Sequence, residues 1–418
     1  GLKVLGTSSE NIDVAEDRKK FGKLLDELKI PKPEYGTALS LKEAVKIANK
    51  IGYPVLVRPS YVLGGRAMQI VYNDEQLTEF FFEAAKLSGK HPVLIDKFLE
   101  EAREIDVDAI GDGKDVYIGG IMQHIEEAGI HSGDSTSILP PISLSAKNLK
   151  EIKDYTKKLA IALEVKGLLN IQYAIKDNIV YVIEANPRAS RTVPFVSKTT
   201  GVQLATIAAQ VIAGRKLKEF KLKKFDDIKY IGVKESVFPF QKFPKVKMFL
   251  GPEMRSTGEV MGIGATFGEA MLKAQTSTGN LLPTEGKIFI SLNNNDKKPK
   301  SLKIVKEFVD LGFGIIGTIG TAKYLNENGI NAEPVFKVLE GRPNVVDRIK
   351  NGDIKLVINT PLGKESRYDE YAIGWAAVQN KIPFITTLSA ADSVVQGIKE
   401  LKSGRVNVKS LQEYYTNS

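Results

Sequence analysis

The chain has 418 residues, 43% of them hydrophobic and 26% charged, with 36 glycines, 18 prolines and no cysteine. That composition fits roughly two to three globular domains and excludes collagen-like, disordered and disulfide-scaffold proteins. No apolar run approaches the roughly 20 residues a bilayer span needs, and the basic start lacks a signal-peptide core, so a cytoplasmic location is expected. Without cysteine, a metal must be held by oxygen or by one of three histidines, and catalysis must rest on carboxylates, amides and cations. The net charge of +9 is spread along the chain rather than gathered in a tail, and its sign suits an anionic partner such as a nucleotide phosphate.

The opening Leu2 to Gly6 reads as a strand entered in mid-fold, which predicts a trimmed or processed chain. Helical spacing runs from Glu10 to Leu28, and Ser40 is placed to cap a helix over Leu41 to Lys50. A β-branched strand at Tyr53 to Pro59 leads through the loop Tyr61 to Arg66 into a strand at Ala67 to Tyr72. Asp74 should cap a helix reaching Leu87. Strands follow at Pro92 to Leu99, Glu104 to Ile110 and Val116 to Met122, then a helix at Ser145 to Leu163. Strands Gly167 to Ile175 and Ile179 to Glu184 form a hairpin around Asp177-Asn178, residues suited to a tight reversal. The Lys-rich stretch Lys216 to Lys224 reads as a connector. From Gly286 strands and helices alternate: strands at Lys287 to Leu292, Phe313 to Ile316, Lys355 to Asn359 and Ile382 to Thr386, helices at Ser301 to Leu311, Gly320 to Asn328, Glu370 to Asn380 and Ala390 to Ser403. This is the pattern of a parallel sheet flanked by helices.

The loop Gly64-Gly65-Arg66 lies between two strands and so matches neither the P-loop nor the dinucleotide arrangement. Its glycines can still let backbone N–H groups approach phosphate, with Arg58 and Arg66 supplying charge; an ordinary hairpin turn is the competing reading. Gln172 on one hairpin strand, with Glu184 and Asn186 at i and i+2 on the other, can share a sheet face if the register allows. Such oxygen ligands suit Mg²⁺ bridging nucleotide phosphates, with Arg188 and Arg191 beside them to stabilise a transferring phosphoryl group; a solvated polar edge is the alternative. His124 and His131 match no zinc spacing, and Glu126, His131 and Asp134 read as polar residues bordering a pocket. Thr318-Ile319-Gly320-Thr321, where a strand gives way to a helix, can hold an anion, and Lys298, Lys337 and Asn359-Thr360 can converge on it; helix capping would also explain the threonines.

These residues carry a resemblance. Arg58 to Met68, Glu126 with His131-Ser132-Gly133-Asp134-Ser135, Glu184-Ala185-Asn186-Pro187-Arg188, Thr192 to Lys198 and Gly251 to Glu259 closely resemble the large subunit of carbamoyl-phosphate synthetase. The likeness covers essentially the whole chain. The order of parts is similar to the C-terminal part of that subunit. The fold class implied is an α+β ATP-grasp unit over residues 1–214, a C-terminal extension or connector over 215–285, and an α/β parallel-sheet domain of the methylglyoxal-synthase-like, Rossmann type over 286–418.

The resemblance implies a ligase half-reaction, carbamate plus ATP giving carbamoyl phosphate plus ADP, within glutamine- or ammonia-dependent synthesis feeding arginine and pyrimidines. Arg18, Arg58, Lys97 to Leu99, Glu104, Gly129, Ile130, His131, Ser132, Gln172 and Glu184 would surround ATP. Gln172, Glu184 and Asn186 would bind two Mg²⁺ or Mn²⁺, with K⁺ as an accompanying cation, and Arg188 would stabilise the transferring group. Glu126, Asp134, Glu235 and Thr386 match ornithine contacts, although Phe384-Ile385 replace a polar, acidic pair beside Thr386. Lys97 stands where familiar bacterial members carry His. Lys298, Thr318, Thr321, Lys337, Asn359 and Thr360 match positions holding effectors of the UMP and IMP class. The implied partners are a glutaminase small subunit, a first-half ATP-grasp chain or segment, and further copies in an oligomer. A biotin-carboxylase-like enzyme is disfavoured by the C-terminal domain. A catalytically silent effector-binding and oligomerisation module is the other reading of the chain. Membrane and nucleic-acid binding are not expected, the latter because aromatics sit in apolar runs such as Phe80-Phe81-Phe82.

Overall fold

The computed structural model describes residues 4–60, 65, 67–240, 250–279, 281–360, 367–404 and 406–416. Among them no helix is long and apolar enough to cross a membrane. They pack as two compact units: residues up to 229 with 250–254 and the segment from 410 form the first, and 230–240 with 255–409 form the second.

In the first unit the helical spacing near the start yields two helices, α1 (Ser9–Glu16) and α2 (Arg18–Glu27). Asp17 separates them, because its backbone is extended and its carboxylate accepts from the N–H groups of Lys19 and Lys20. Val4 to Gly6 are not in a strand, and the rest of that expectation lies outside the described residues. Next come β1 (Tyr35–Ala38), α3 (Leu41–Ile51), β2 (Val55–Arg58), β3 (Gln69–Val71), α4 (Asp74–Ser88) and β4 (Val93–Lys97). Ser40 caps α3 as expected, by accepting from the Glu43 N–H; α4 is capped by Asn73, one residue before the expected Asp74. The strands pair antiparallel in the order β1-β4-β2-β3. Val55, Val57, Val71, Val93 and Ile95 bury one face against Ala44, Ala48, Leu77, Phe81 and Ala84 of the two helices. Alternation therefore sends Arg58 and Asp96 to the other face.

The unit's longer sheet runs β7-β6-β5-β8-β9, all antiparallel, from β5 (Arg103–Asp112), β6 (Val116–Glu127), β7 (Ser137–Leu139), β8 (Lys166–Lys176) and β9 (Ile179–Asn186). Between β7 and β8 lies α5 (Ala146–Ala162), and after β9 come α6 (Val193–Thr200) and α7 (Leu204–Ile212). One face is apolar: Tyr173 on β8 and Thr156 of α5 are both fully buried and share a hydrogen bond of 2.7 Å between their hydroxyls. The β8–β9 turn has positive φ at both Asp177 (51°) and Asn178 (61°), the geometry that pairs tight hairpins without splaying their strands.

The stretch expected as a connector holds secondary structure of the second unit. An antiparallel pair, β10 (Ile231–Val237) and β11 (Gly258–Gly264), lies beneath α8 (Phe267–Ser277), and a side chain on Gly262 would stand 2.1 Å from the Ala270 carbonyl. The remainder is the expected parallel sheet, in the order β14-β13-β12-β15-β16. Its elements are β12 (Lys287–Leu292), α9 (Pro299–Asp310), β13 (Gly314–Thr318), α10 (Ile319–Glu327), β14 (Ala332–Val335), α11 (Val345–Lys350), β15 (Ile354–Thr360), α12 (Arg367–Gln379), β16 (Phe384–Ile385) and α13 (Leu388–Ser403). Phe289, Ile316, Val357, Ile349, Ile373 and Ala377 meet in its core. A last helix, α14 (Leu411–Thr416), belongs to the first unit, where Tyr415 donates to the Lys198 carbonyl at 2.6 Å.

Asn178→Val should cost about 1–2 kcal/mol, because a β-branched residue resists the left-handed backbone, whereas Asn178→Gly should be neutral or slightly stabilising. Thermal unfolding of the two variants checks this.

Candidate functional site

The polar face of the longer sheet is organised by strand register. Asp106 on β5 lies opposite Gln172 on β8, which lies opposite Glu184 on β9; one rung along, Asp108 opposes Asn170, which opposes Asn186. Directly paired residues project to the same side, so the sheet brings Gln172, Glu184 and Asn186 together; a bulge between Gln172 and Tyr173 supplies the register this needs, since strict pairing from the turn would set Ile183 opposite Gln172. Asn186 Nδ2 donates to Glu184 Oε1 at 2.9 Å, and Arg188 Nη2 donates to Asn186 Oδ1 at 3.2 Å. Arg188 also donates to the Ala189 carbonyl at 3.0 Å and remains exposed.

The loop Gly129 to Ser132 closes over this face. Gln172 Nε2 donates to Ser132 Oγ at 2.8 Å, the Gly129 N–H donates to Glu104 Oε1 at 3.3 Å, and the His131 N–H donates to the Gly251 carbonyl at 2.8 Å. His131 Nδ1 accepts from the Gly133 N–H at 3.0 Å, which makes it the unprotonated nitrogen. Burial lowers the His131 pKa, outweighing the nearby carboxylates of Asp134, Glu184 and Asp106. Ile130 and Leu99 are both half-buried, and Leu99 accepts from the Ala102 N–H through its carbonyl.

The two expected arginines share one anion. Arg18 Nη2 lies 2.6 Å from Asp96 Oδ1 and Arg58 Nε 2.9 Å from Asp96 Oδ2. Burial alone would raise the Asp96 pKa, but the two guanidinium groups outweigh it and hold the carboxyl below its usual range. Arg18 also donates from Nη1 to the Ile183 carbonyl of β9 at 3.1 Å, so it links β4 to the residue before Glu184. The Lys97 ammonium is directed elsewhere, to the carbonyls of Gly52 (2.8 Å) and Tyr53 (3.1 Å). Of the loop Tyr61 to Arg66 only Gly65 falls within the described residues. Its φ is +69°, and a side chain there would strike the Pro252 carbonyl at 1.9 Å, so only glycine fits.

Sequence reasoning missed the buried carboxylates beneath the site. Asp106 and Asp108 alternate with apolar Val107 and Ala109 along β5, and that alternation inside a strand was the available signal. Asp106 Oδ2 lies 3.0 Å from His124 Nε2, and Glu104 Oε2 lies 3.4 Å from His124 Nδ1. Burial opposes a charge on His124, yet the two carboxylates prevail and push its pKa up to about 10.

Of the expected ornithine contacts, Glu126 and Asp134 belong to the first unit, and Glu235 and Thr386 to the second. Both Glu126 oxygens accept from Thr136, from its N–H at 2.6 Å and its hydroxyl at 2.9 Å, while burial raises the Glu126 pKa.

In the second unit the strand order reverses between β12 and β15, and ligands of such sheets sit at the carboxyl ends of strands flanking that point. Asn359 and Thr360 lie at the end of β15 there, and Thr318 ends β13, the neighbour of β12 on its other side. The Thr318 hydroxyl donates to Thr321 Oγ1 at 3.0 Å, Thr321 Oγ1 accepts from the Leu292 N–H at 3.0 Å, and Thr360 Oγ1 accepts from the Asn293 N–H at 3.2 Å. Thr318 makes no side-chain cap to α10, so capping does not account for it. Lys298 lies 3.5 Å from Asp296, and the Lys337 N–H donates to Glu340.

Two family descriptions match the chain: "Carbamoyl-phosphate synthase L chain, ATP binding domain" over residues 17–220, and an MGS-like domain over 300–386. The biotin carboxylase domain of the 2-oxoglutarate carboxylase from Hydrogenobacter thermophilus shares the fold, with a TM-score of 0.54 and 18% identity over 65% of this chain and 68% of that one. The fold class is therefore an ATP-grasp unit joined to an MGS-like α/β domain. The C-terminal section of the carbamoyl phosphate synthase large chain of Aquifex aeolicus is 54% identical, covering 99% of this chain and 81% of its own length; that of Methanocaldococcus jannaschii is 52% identical, covering 99% and 68%. The chain belongs to the carbamoyl phosphate synthase large-chain family. It spans 39% of the length of the large chain of Archaeoglobus fulgidus, to which it is 55% identical over its whole length.

Since His124 has a pKa above its unfolded value, its contribution to stability is complete below about pH 6.5 and is lost as pH rises toward 10. The thermal midpoint of the wild type should therefore fall between pH 7 and 9.5 relative to His124→Gln. Parallel curves would contradict the assignment of an imidazolium.

Proposed function

We propose that the first unit phosphorylates carbamate with ATP, giving carbamoyl phosphate and ADP, as one half-reaction of glutamine- or ammonia-dependent carbamoyl-phosphate synthesis. A carbamate oxygen bonds to the γ-phosphorus as the bond from that phosphorus to the β-phosphate bridging oxygen breaks, and the electron pair leaves with ADP. The observation that carries this reading is the rung Asp106–Gln172–Glu184 with Asn186 and Arg188 alongside. It sets one exposed guanidinium next to a carboxylate and two amides, on the face covered by the loop Gly129 to Ser132.

The donors fit Mg²⁺ or Mn²⁺ in kind: carboxylate and amide oxygens, with no sulfur. Because Gln172 commits its nitrogen to Ser132, its oxygen is left for the site. Among the described residues no group of three or more His, Cys, Asp or Glu is arranged to hold a metal; Glu184, with the amide oxygens of Gln172 and Asn186, would hold the cations of this reading. When bound, those cations neutralise charge on the phosphates. Arg58, Glu104 and the loop Gly129 to Ser132 orient the nucleotide. Arg18 and Lys97 act from behind, through Asp96 and through the α3–β2 corner. Arg188 faces the transferring phosphoryl group.

The second unit is the effector site of this reading, holding a nucleoside monophosphate of the UMP or IMP class by Lys298, Thr318, Thr321, Lys337, Asn359 and Thr360. Carbamate comes from a first ATP-grasp segment, and ammonia from a glutaminase subunit or from solution. K⁺ and an oligomeric, cytoplasmic assembly complete the proposal.

The test is ATP formation from ADP and carbamoyl phosphate with Mg²⁺. The wild-type chain should form ATP, and Glu184→Gln should lower the rate by about 100-fold or more while leaving monophosphate binding intact. Equal rates would overturn the metal assignment. Silence in both would favour a module that binds effectors without catalysing phosphoryl transfer.

A further inference from the structure

The fully buried Asp108 is not required by the chemistry above, yet three side chains converge on it. Its Oδ1 accepts from Asn170 Nδ2 at 3.0 Å and from the Ser190 hydroxyl at 2.7 Å, and its Oδ2 accepts from the Thr192 hydroxyl at 2.6 Å. Burial pushes the Asp108 carboxyl up to about 6, against the pull of these three donors. An isolated carboxylate in such a place is costly, so its presence between the buried apolar residues Val107 and Ala109 calls for a reason.

Helix α6 supplies a second, independent observation. Thr192 occupies its N-cap position but makes no cap hydrogen bond to the helix. A threonine there ordinarily accepts from an N–H of the first turn. Here the hydroxyl is committed to Asp108 instead, and the Ser190 hydroxyl lies 2.9 Å from it. Both tethers fall just after Arg188. The segment that carries Arg188 is therefore bounded by Asn186 at the sheet and by Ser190 and Thr192 on Asp108.

We propose that Asp108 is a positioning residue for phosphoryl transfer: through Ser190 and Thr192 it fixes the segment that holds Arg188 over the Glu184 site. The proposal rests on the phosphoryl-transfer reading above. Asn170 ties the same carboxylate to β8, so Asp108 makes the Arg188 segment rigid with respect to the strand that also bears Gln172. An arginine serving a developing charge gains most when it is held before the reaction begins, and a misplacement of about 1 Å costs on the order of 100-fold in rate.

The experiment compares wild type, Ser190→Ala/Thr192→Val, Thr192→Ser and Asp108→Asn. It measures ATP formation from ADP and carbamoyl phosphate, and hydrogen exchange at the amides of Arg188 and Val196, which are bonded to the Asn186 and Thr192 carbonyls. The double variant should lower kcat about 10- to 100-fold with the KM for ADP within about threefold. It should also speed exchange at both amides while β8 stays protected, and Thr192→Ser, which keeps the hydroxyl, should restore wild-type values. Asp108→Asn should reproduce the loss in kcat; if it fails to fold, the double variant, which leaves the buried carboxylate in place, still decides. An unchanged kcat, or kcat and melting temperature falling together without recovery in Thr192→Ser, would overturn the proposal. If the wild type forms no ATP, the functional reading fails. Exchange then decides the positioning claim by itself: faster exchange upholds the tether and unchanged exchange overturns it.

Discussion

The arrangement of the first unit depends on the register of three strands. Because Asp106, Gln172 and Glu184 stand directly opposite one another, a single sheet face gathers carboxylates and amides that lie 78 residues apart at the extremes of the sequence. A slip of one residue would turn every one of them into the apolar layer against α5. The tight turn at Asp177-Asn178 fixes the register as far as Tyr173 opposite Val182, a bulge between Gln172 and Tyr173 then brings Glu184 rather than Ile183 opposite Gln172, and the buried Tyr173–Thr156 pair anchors the far face.

Around the polar face, on both sheets of the unit, charge is managed in pairs. Arg18 and Arg58 converge on Asp96, and Glu104 and Asp106 flank His124. These buried ions therefore have opposite partners, as burial demands. Asp108 is held differently, accepting from two hydroxyls and an amide. Gln172, Glu184 and Asn186 are partly exposed and Arg188 is exposed, which suits the polyanionic ligand proposed for this site. The second unit uses a different solution: hydroxyls and backbone N–H groups at the point where its strand order reverses.

Much of this was legible in the sequence because local chemistry and tertiary structure agree. The β8–β9 hairpin and its turn follow from alternation and turn residues, and the regular alternation after Gly286 led to the parallel sheet; the meeting of Gln172 with Glu184 depends further on the bulge between Gln172 and Tyr173, which shifts the register by one residue. What escaped was set by tertiary context. β1 is four residues long and follows two prolines, β7 has only three residues, β14 carries Pro334 on the sheet edge, and α6 begins with a proline in its first turn. β10, β11 and α8 lie in a stretch whose Lys-rich beginning read as solvated linker. The buried Asp96 was hidden in an apolar strand, and although Asp106 and Asp108 alternate visibly with Val107 and Ala109, only the partners reached from distant segments explain why these acids are buried. Lys97 was placed near nucleotide by resemblance, whereas its ammonium is held by the Gly52 and Tyr53 carbonyls.

The central claim is that the Gln172–Glu184–Asn186 face is where metal and nucleotide meet. Anomalous scattering from Mn²⁺ in crystals of the chain grown with ADP tests this most directly. The account predicts a peak within coordination distance of the Glu184 carboxylate, bordered by the amide oxygens of Gln172 or Asn186 and by the ADP phosphates. A peak seated instead among Glu126, Asp134 and His124, with none at Glu184, would contradict it.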